Sequence, residues 1–380
     1  MGHIISKIHI ENFKSIRSHE FELSNFTPLV GYNNAGKSNI LEAIKWVLRK
    51  TSLPISCFYD TTQPIVVTAS IEGISNDILE NIEPAHRARI EPFLNNETLA
   101  IKRIQDNPGQ TVAQIKLLVL NPNDATWQNN PAGIDNAIKD LFPEPIQIGA
   151  MENSEEDISR SSSTSTIGKL LAEIIGPIEV QYGAQVNQAL NGLKDILDVE
   201  GANRAPELET FDAEINTKLD AFFPDIRVKV HIPTPDIKEV FKKGTIKVYE
   251  HLFPTAKDVS SLGHGAQRSI QMTLVRHLAD LKLAQQETRT TTLLLIDEPE
   301  LYLHPQAIEI LRKSLKILSQ QGYQVIFTTH SPFMITQNDV GNTVLVRKND
   351  VHGTFKRTTL KSAIPQICLL YTSDAADEPR

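Results

Sequence analysis

Apolar and polar positions divide this chain into stretches with two different rhythms. Near the start, Ile5, Ile8 and Ile10 recur among polar residues within 3–12, and Phe21 and Leu23 continue the alternation, so the spacing predicts two short strands. Residues 27–30 form a third apolar run that stops at Gly31. Residues 38–49 change to helical spacing, with Leu41, Ile44 and Leu48 on one face. Strands are predicted over 64–71, 99–104 and 112–120 around a helix at 76–91, which makes a β-rich lobe, and an Asn- and Pro-rich loop follows over 121–131. Residues 152–166 are rich in Ser, Thr and Glu and read as a mobile stretch. Helices are predicted over 167–199 and 207–223, and strands over 226–232 and 245–251. From 260 the order is loop, helix, buried strand, helix, buried strand, the alternation of a parallel sheet covered by helices. No internal repeat occurs, and no sustained heptad run lies between Ser38 and Gly263, which argues against a long coiled-coil arm.

Four places in this framework carry chemistry. The first is Gly31-Tyr32-Asn33-Asn34-Ala35-Gly36-Lys37-Ser38, a complete P-loop pattern between a strand and a helix. Its glycines let backbone N–H groups turn inward around phosphates at the positive end of the following helix. Lys37 supplies a fixed cation for the β- and γ-phosphates, and the Ser38 hydroxyl suits Mg²⁺. Gly31, Asn33, Asn34, Ala35, Gly36, Lys37, Ser38 and the adjoining Asn39 are therefore the expected nucleotide-binding residues. The second is Leu293-Leu294-Leu295-Ile296-Asp297-Glu298, a strand apolar on both faces that ends in two carboxylates. Asp297 is the expected second Mg²⁺ residue, and Glu298 the general base that polarises the attacking water. The third is Ser260-Ser261-Leu262-Gly263-His264-Gly265-Ala266-Gln267-Arg268 ahead of a helix bearing Ile270, Leu274, Leu278 and Leu281. Such a helix start binds anions or merely caps the helix. The fourth is Thr328-Thr329-His330-Ser331-Pro332, which places His330 at the end of the next buried strand. Lys37, Glu298 and His330 are the expected catalytic set.

Composition narrows the setting. Of 380 residues, 38 are Lys or Arg and 46 Asp or Glu, a net charge of −8 that argues against a coat of basic charge for indiscriminate nucleic-acid binding. No apolar run reaches the ~18 residues of a membrane span, and residues 1–10 lack the layout of a signal peptide. Only Cys57 and Cys368 are present, so no disulfide framework or cysteine zinc site is expected, and the simplest setting is cytoplasmic. Residues 368–378 resemble the translation of a sequencing-library adaptor, so the genuine sequence is expected to end near Ile367. No Asn-Lys-x-Asp motif speaks for a GTPase.

The four motifs in this order resemble ABC-type ATPases of the SMC and RecF kind. Ile10-Glu11-Asn12-Phe13-Lys14-Ser15-Ile16 and Asp297-Glu298-Pro299-Glu300-Leu301-Tyr302-Leu303-His304-Pro305 resemble, more narrowly, the OLD (overcoming lysogenization defect) family. The resemblance implies an α/β, ABC-type P-loop ATPase with a mainly parallel core sheet, an N-terminal antiparallel β lobe and a helical insertion. The divisions are 1–151, 152–259 and 260–367, with 368–380 foreign. It also implies that Ser261, Gly263 and Gly265 bind nucleotide held by a second copy of the chain, in a homodimer with composite ATP sites. The segment departs from Leu-Ser-Gly-Gly-Gln, so which of Ser260, Ser261 and Gly263 reaches the phosphate stays open. His330 takes the place of the residue that senses the γ-phosphate. Gln147 is either a Q-loop residue or a surface one, and His304 either caps a helix or lies at an interface. OLD proteins join this ATPase to a metal-dependent Toprim nuclease acting on DNA, some beside a helicase, and such a domain has no room before residue 367. A RecF- or SMC-like DNA-binding ATPase without a nuclease is the alternative.

Overall fold

A computed structural model describes residues 2–143, 145–149, 166–236, 239–240, 246–250, 253–284 and 291–357. Residues 152–165 of the Ser/Thr/Glu-rich stretch and residues 368–380 lie outside the described residues. In chain order the elements begin β1 (Ile4–Phe13), β2 (Ile16–Glu22), β3 (Phe26–Val30), α1 (Lys37–Leu48), β4 (Ile65–Glu72), α2 (Asn76–Glu80), α3 (Pro84–Ile90), β5 (Leu99–Gln105), β6 (Lys116–Leu120), β7 (Trp127–Asn129), α4 (Ile134–Leu141) and β8 (Ile146–Ile148). They continue with α5 (Thr166–Leu197), α6 (Pro206–Leu219), β9 (Lys247–Glu250), β10 (Phe253–Asp258), α7 (His264–Ala284), β11 (Thr292–Ile296), α8 (Pro305–Gln320), β12 (Tyr323–Thr329), β13 (Val344–Asn349) and β14 (Gly353–Lys356). The chain forms two compact units, one of Met1–Asp157 with Val259–Arg380 and one of Ile158–Asp258.

The first unit holds a 12-stranded sheet in the order β7-β6-β5-β4-β1-β2-β14-β13-β3-β12-β11-β8. The expectation of a mainly parallel core sheet is wrong. Seven of its eleven neighbour pairings are antiparallel and four are parallel. The parallel part is confined to β13-β3-β12-β11-β8, where the strands are buried apolar runs, whereas the rest alternates and folds back through hairpins and loops. Sequence patterning separates these two styles of strand but does not reveal that the β13–β14 hairpin welds them into one sheet. β14 pairs antiparallel with β2 at Gly353 and Ile16, and β13 pairs parallel with β3.

Local chemistry explains several element boundaries. In β1, buried Ile5 and Ile8 are three positions apart, out of phase for a strand, and a bulge between Ile5 and Lys7 restores both to one face. The turn from β1 to β2 carries Asn12 and Lys14 at positive φ. The Asn12 amide locks the following loop by donating to the carbonyls of Asp60 (2.9 Å) and Gln63 (2.7 Å) and accepting from Asp60 N–H (2.7 Å). Helix α1 packs on β1, β4 and β12 through buried Ile40, Leu41, Ile44, Val47 and Leu48. The predicted strand at 112–120 forms only from Lys116, after a 3-10 turn at Val112–Gln114, and β7 lies within the predicted loop.

In the second unit, residues 226–232 form no strand. Their backbone is paired by side chains instead: Asn216 exchanges two hydrogen bonds with Val228, Asp212 accepts from Val230 N–H at 2.9 Å, and Arg204 donates to the Val230 carbonyl at 2.8 Å. Alternating apolar residues there satisfied the pattern of a strand while its partner became a helix.

Gln324 of β12 ties the two styles of strand together. Fully buried, it accepts from Ile5 N–H (2.9 Å) and donates to the carbonyls of Ile5 (2.7 Å) and Ser24 (3.2 Å). Gln324→Leu leaves those backbone groups unpaired in the core. It should lower unfolding free energy by about 1–3 kcal/mol in urea denaturation, with an unchanged m-value.

Candidate functional site

All five residues of β3 are buried, which delivers the chain to Gly31 at a fixed point under β13. A Cβ at Gly31 would stand 2.3 Å from the Val346 carbonyl oxygen, so only glycine passes there. Gly36 has φ +94, and a Cβ on it would meet Thr354 Oγ1 at 2.2 Å. Between them Ala35 is buried, Asn33 and Asn34 are exposed, and Asn34 is itself left-handed at φ +63. The turn folds back on Lys37, which is 5% exposed. Its ammonium donates to the carbonyls of Gly31 (3.0 Å) and Tyr32 (3.2 Å) and lies 2.7 Å from His330 Nε2. Burial lowers the Lys37 pKa from its ordinary value, opposed by the carboxylates of Glu298, Asp297 and Glu300. The next residue, Ser38, donates from Oγ to Asp297 Oδ2 at 2.7 Å. Asn39 turns its amide onto Ser15 Oγ at 2.7 Å.

The acidic strand end is held by its neighbour β12. Thr328 Oγ1 donates to Asp297 Oδ1 and accepts from Glu298 N–H at 2.9 Å. Glu298, at φ +47, places Oε1 3.0 Å from His330 Nε2. The hydrogen bond from His330 is the main reason the Glu298 carboxyl sits below the usual carboxylate range; burial opposes it, and the charges of His330, Lys37 and Arg268 reinforce it. His330 Nε2 thus faces two partners and serves one at a time. Without a proton it accepts from Lys37, and with one it donates to Glu298. Lys37, Ser38, Asp297, Glu298 and His330, spread over almost 300 positions, are brought into one cluster.

Ser261 closes the 3-10 turn Val259–Ser261, and Gly263 sits just before α7; both are exposed, and a side chain at Gly263 would meet nothing within 4 Å. Gly265 is half-buried, near Tyr302. The face of α7 that is buried is partly polar: Gln267, Arg268 and Gln271 with Met272 and Val275. Ile270 and Leu274 are half-buried, and the side chains of Leu278 and Leu281 lie outside the description. Gln147 is a half-buried residue of β8, paired with Leu295. His304 caps α8, its Nδ1 accepting from Gln306 N–H at 3.5 Å. Cys57 is buried, which pushes its thiol pKa up.

Three residues of this cluster escaped the sequence reading. Arg268, 1% exposed, donates to the carbonyls of Asp297 (2.9 Å), Glu298 (2.7 Å) and Gly149 (3.1 Å), so α7 grips the acidic strand end. Glu300 Oε1 accepts from Thr329 Oγ1 (2.6 Å), His330 N–H (2.8 Å) and Ser331 N–H (3.3 Å), which fixes the His330 backbone. Thr328 is the third. The run of Gln and Arg at 267, 268 and 271 was the available signal for Arg268, since polar residues at helical spacing beside an apolar face imply buried partners.

Comparison with known proteins identifies the family and the fold. The AAA ATPase domain family matches residues 4–158 and 126–335. The chain belongs to that family. This AAA ATPase domain is 42% identical to the Old nuclease of Escherichia phage P2 over 366 residues, covering 96% of this chain and 62% of that protein. It is 24% identical to endonuclease GajA of Bacillus cereus, covering 92% and 58%, and 22% identical to the OLD nuclease of Thermus scotoductus, covering 91% and 62%. The chain thus spans about three fifths of the length of the curated relatives it matches. Among solved structures, an Smc head bound to the C-winged helix domain of ScpA superposes with a TM-score of 0.54 at 17% identity, covering 95% of this chain and 99% of that one. A Pyrococcus furiosus Smc head bound to the C-terminal domain of ScpA superposes at 0.53 and 14% identity, covering 97% and 100%. The fold is that of ABC/SMC-type ATPases. The AAA ATPase domain is an ATP-binding and ATP-hydrolysing module homologous to the ATPase regions of OLD nucleases. No described helix is long and apolar enough to cross a membrane.

Glu300 offers a direct check on the His330 placement. Glu300→Ala strips the His330 N–H of its acceptor and removes the better acceptor of the Thr329 hydroxyl, and should slow ATP turnover by at least about tenfold, whereas Glu300→Gln keeps a carbonyl oxygen for them and should recover most of it. Equal rates in the two variants would mean that His330 is placed by other contacts.

Proposed function

We propose that this module binds Mg·ATP between residues 31–39 and the ends of β11 and β12, and that its hydrolysis controls a DNA endonuclease activity of the OLD kind. The observation that carries the nucleotide reading is Ser38 Oγ against Asp297 Oδ2 at 2.7 Å, beside a buried ammonium held on two loop carbonyls. Hydroxyl and carboxylate oxygens are the donor set of a hard divalent cation, and a fixed ammonium at a helix start suits phosphate, so the residues present fit Mg·ATP. Bound Mg²⁺ would supply charge neutralisation at the phosphates. Backbone N–H groups of the loop and Lys37 bind phosphate oxygens, and Ser38 and Asp297 hold the metal. Glu298 takes the proton from the attacking water. His330, already shared between Lys37 and Glu298, reports the γ-phosphate by exchanging one partner for it.

Assembly follows from the second half of the site. Ser261 and Gly263 stand exposed at the start of α7, where helix N–H groups favour anions, and the reading supplies their phosphate from a second copy of the chain. The result is a homodimer with two equivalent sites, each made of residues 31–38 of one chain and Ser261, Gly263 and Gly265 of the other. In the second unit Phe222 is 77% exposed and Phe223 57%, with Phe211 and Tyr182 also exposed. Exposed aromatic side chains on this unit support a constitutive contact between copies in addition to the ATP-dependent one.

The nuclease half of the proposal rests on the identity to the phage P2 protein. DNA as substrate and a helicase partner rest on the family resemblance, a cytoplasmic setting on composition, the divisions at 1–151, 152–259 and 260–367 on the order of elements and motifs, and the foreign origin of 368–380 on its likeness to an adaptor sequence. The second reading is a RecF- or SMC-like DNA-binding ATPase without cleavage, which the shared fold of the Smc heads leaves open. Reading the gene beyond codon 367 separates them: a Toprim pattern of a Glu and an Asp-x-Asp supports the first, and its absence the second.

Two experiments test the ATPase chemistry. Lys37→Ala should abolish nucleotide binding, while Glu298→Gln should bind ATP and turn it over about 10²–10⁴-fold more slowly. Near-normal turnover in Glu298→Gln would remove the base from Glu298. For the composite site, Lys37→Ala chains are mixed with Gly263→Val chains. A mixed dimer keeps one intact loop facing one intact helix start, so ATPase activity should reappear. If mixed dimers are shown to form and remain as inactive as either parent, the shared-site arrangement is wrong.

A further inference from the structure

Ser15, from the conspicuous Asn12-Phe13-Lys14-Ser15 turn, has no part in the chemistry above, yet it lies against the phosphate loop. A line of hydrogen bonds joins Asn39 Nδ2 to Ser15 Oγ (2.7 Å), Ser15 Oγ to Thr354 Oγ1 (2.7 Å), and Thr354 Oγ1 to the Ala35 carbonyl (2.9 Å). Proton inventory sets its direction. The Ala35 carbonyl only accepts, so the single hydroxyl proton of Thr354 goes to it. Thr354 must then accept from Ser15, and Ser15, having given its proton, accepts from the Asn39 amide. Thr354 is fully buried, and its own N–H donates to the Ser15 carbonyl at 2.7 Å, so β14 carries this hydroxyl on a rigid mount.

The Ala35 carbonyl and the Gly36 N–H belong to one planar trans peptide and point in opposite directions. Holding the carbonyl on Thr354 therefore turns the Gly36 N–H away from Thr354. Glycine at 36 gives that peptide little resistance to rotation by itself, because it accepts either sign of φ. We propose that Thr354, ordered by Ser15 and Asn39, is a positioning residue for nucleotide binding: it presets the Ala35–Gly36 peptide so that the Gly36 N–H is available to a phosphate oxygen. This rests on reading residues 31–38 as the phosphate cradle. It assigns Asn39 to the support of the loop, and it makes the β13–β14 hairpin, over 300 residues downstream, part of the nucleotide site.

Thr354→Val keeps the shape of the side chain and deletes the hydroxyl; Thr354→Ser keeps the hydroxyl. Calorimetric titration of the 380-residue chain with Mg·ADP and Mg·ATP reads affinity, and steady-state kinetics read KM and kcat. Thr354→Val should weaken both nucleotides about three- to tenfold, the effect of one net hydrogen bond, and raise KM in proportion while kcat stays within about twofold; Thr354→Ser should bind like the parent chain. Ser15→Ala, which breaks the line one link earlier, should also weaken binding, and Ser15→Ala with Thr354→Val should be no weaker than Thr354→Val alone. Parent-like affinity in Thr354→Val, equal weakness in Thr354→Ser and Thr354→Val, or additive losses in the double variant each overturn the proposal. Lys37→Ala tells the two readings apart. If it loses nucleotide while Thr354→Val does not, only the positioning role falls; if it too binds normally, the phosphate cradle falls as well.

Discussion

A lysine with one-twentieth of its surface exposed must find compensation for its charge inside the protein, because an uncompensated buried charge costs on the order of several kcal/mol. Lys37 finds it in two loop carbonyls and in the field of Glu298, Asp297 and Glu300. That requirement organises much of the surrounding structure. The loop must curl back on its own lysine, which calls for left-handed backbone at Asn34 and Gly36. The carboxylates must reach it, which calls for β11 beside β12 and β12 beside β3. The same geometry that neutralises the cation leaves a concentrated set of hydroxyl, carboxylate and cationic groups just past the ends of β3, β11 and β12.

The supporting contacts come from backbone as often as from side chains. Arg268 holds the residues that end β11 through carbonyls, Glu300 holds residues 330–331 through N–H groups, and Thr354 holds the turn at residues 31–38 through a carbonyl. Each replaces water that a buried turn cannot reach, so each leaves little freedom in the group it binds. The start of α7, the end of β11, His330 and residues 31–38 are therefore connected within the first unit by short polar links. A change at one of them has a physical route to the others.

Much of the candidate site could be read along the chain. A phosphate loop and a strand ending in two carboxylates have local signatures, since strand, glycine spacing and helix start lie within a dozen residues. The burial of Leu293, Leu294, Leu295 and Ile296 and of the α1 face agrees with their periodicity. The supporting residues were harder. Glu300 and Thr328 stood in recognised motifs, but their partners, backbone and side chain, lie about 30 residues away, and no spacing rule encodes those. Residues 226–232 misled because alternation describes exposure on two sides of an extended segment and not what its backbone pairs with.

What the sequence determined by itself was the order and type of most elements and the local motifs that supply Lys37, Ser38, Asp297, Glu298 and His330, because these depend on neighbours within one turn of helix or one stretch of strand. The tertiary structure alone decided that the sheet is mostly antiparallel, since strand direction depends on which edges meet, and the hairpin β13–β14, from residues 344–356, inserts between β2 and β3 near the start of the chain. It alone decided that Ser15, Asn39 and Thr354 meet beneath Gly36. A hydroxyl 318 positions from the glycine it touches leaves no trace in local pattern, because its role is set by the packing of β14 against the turn after β1.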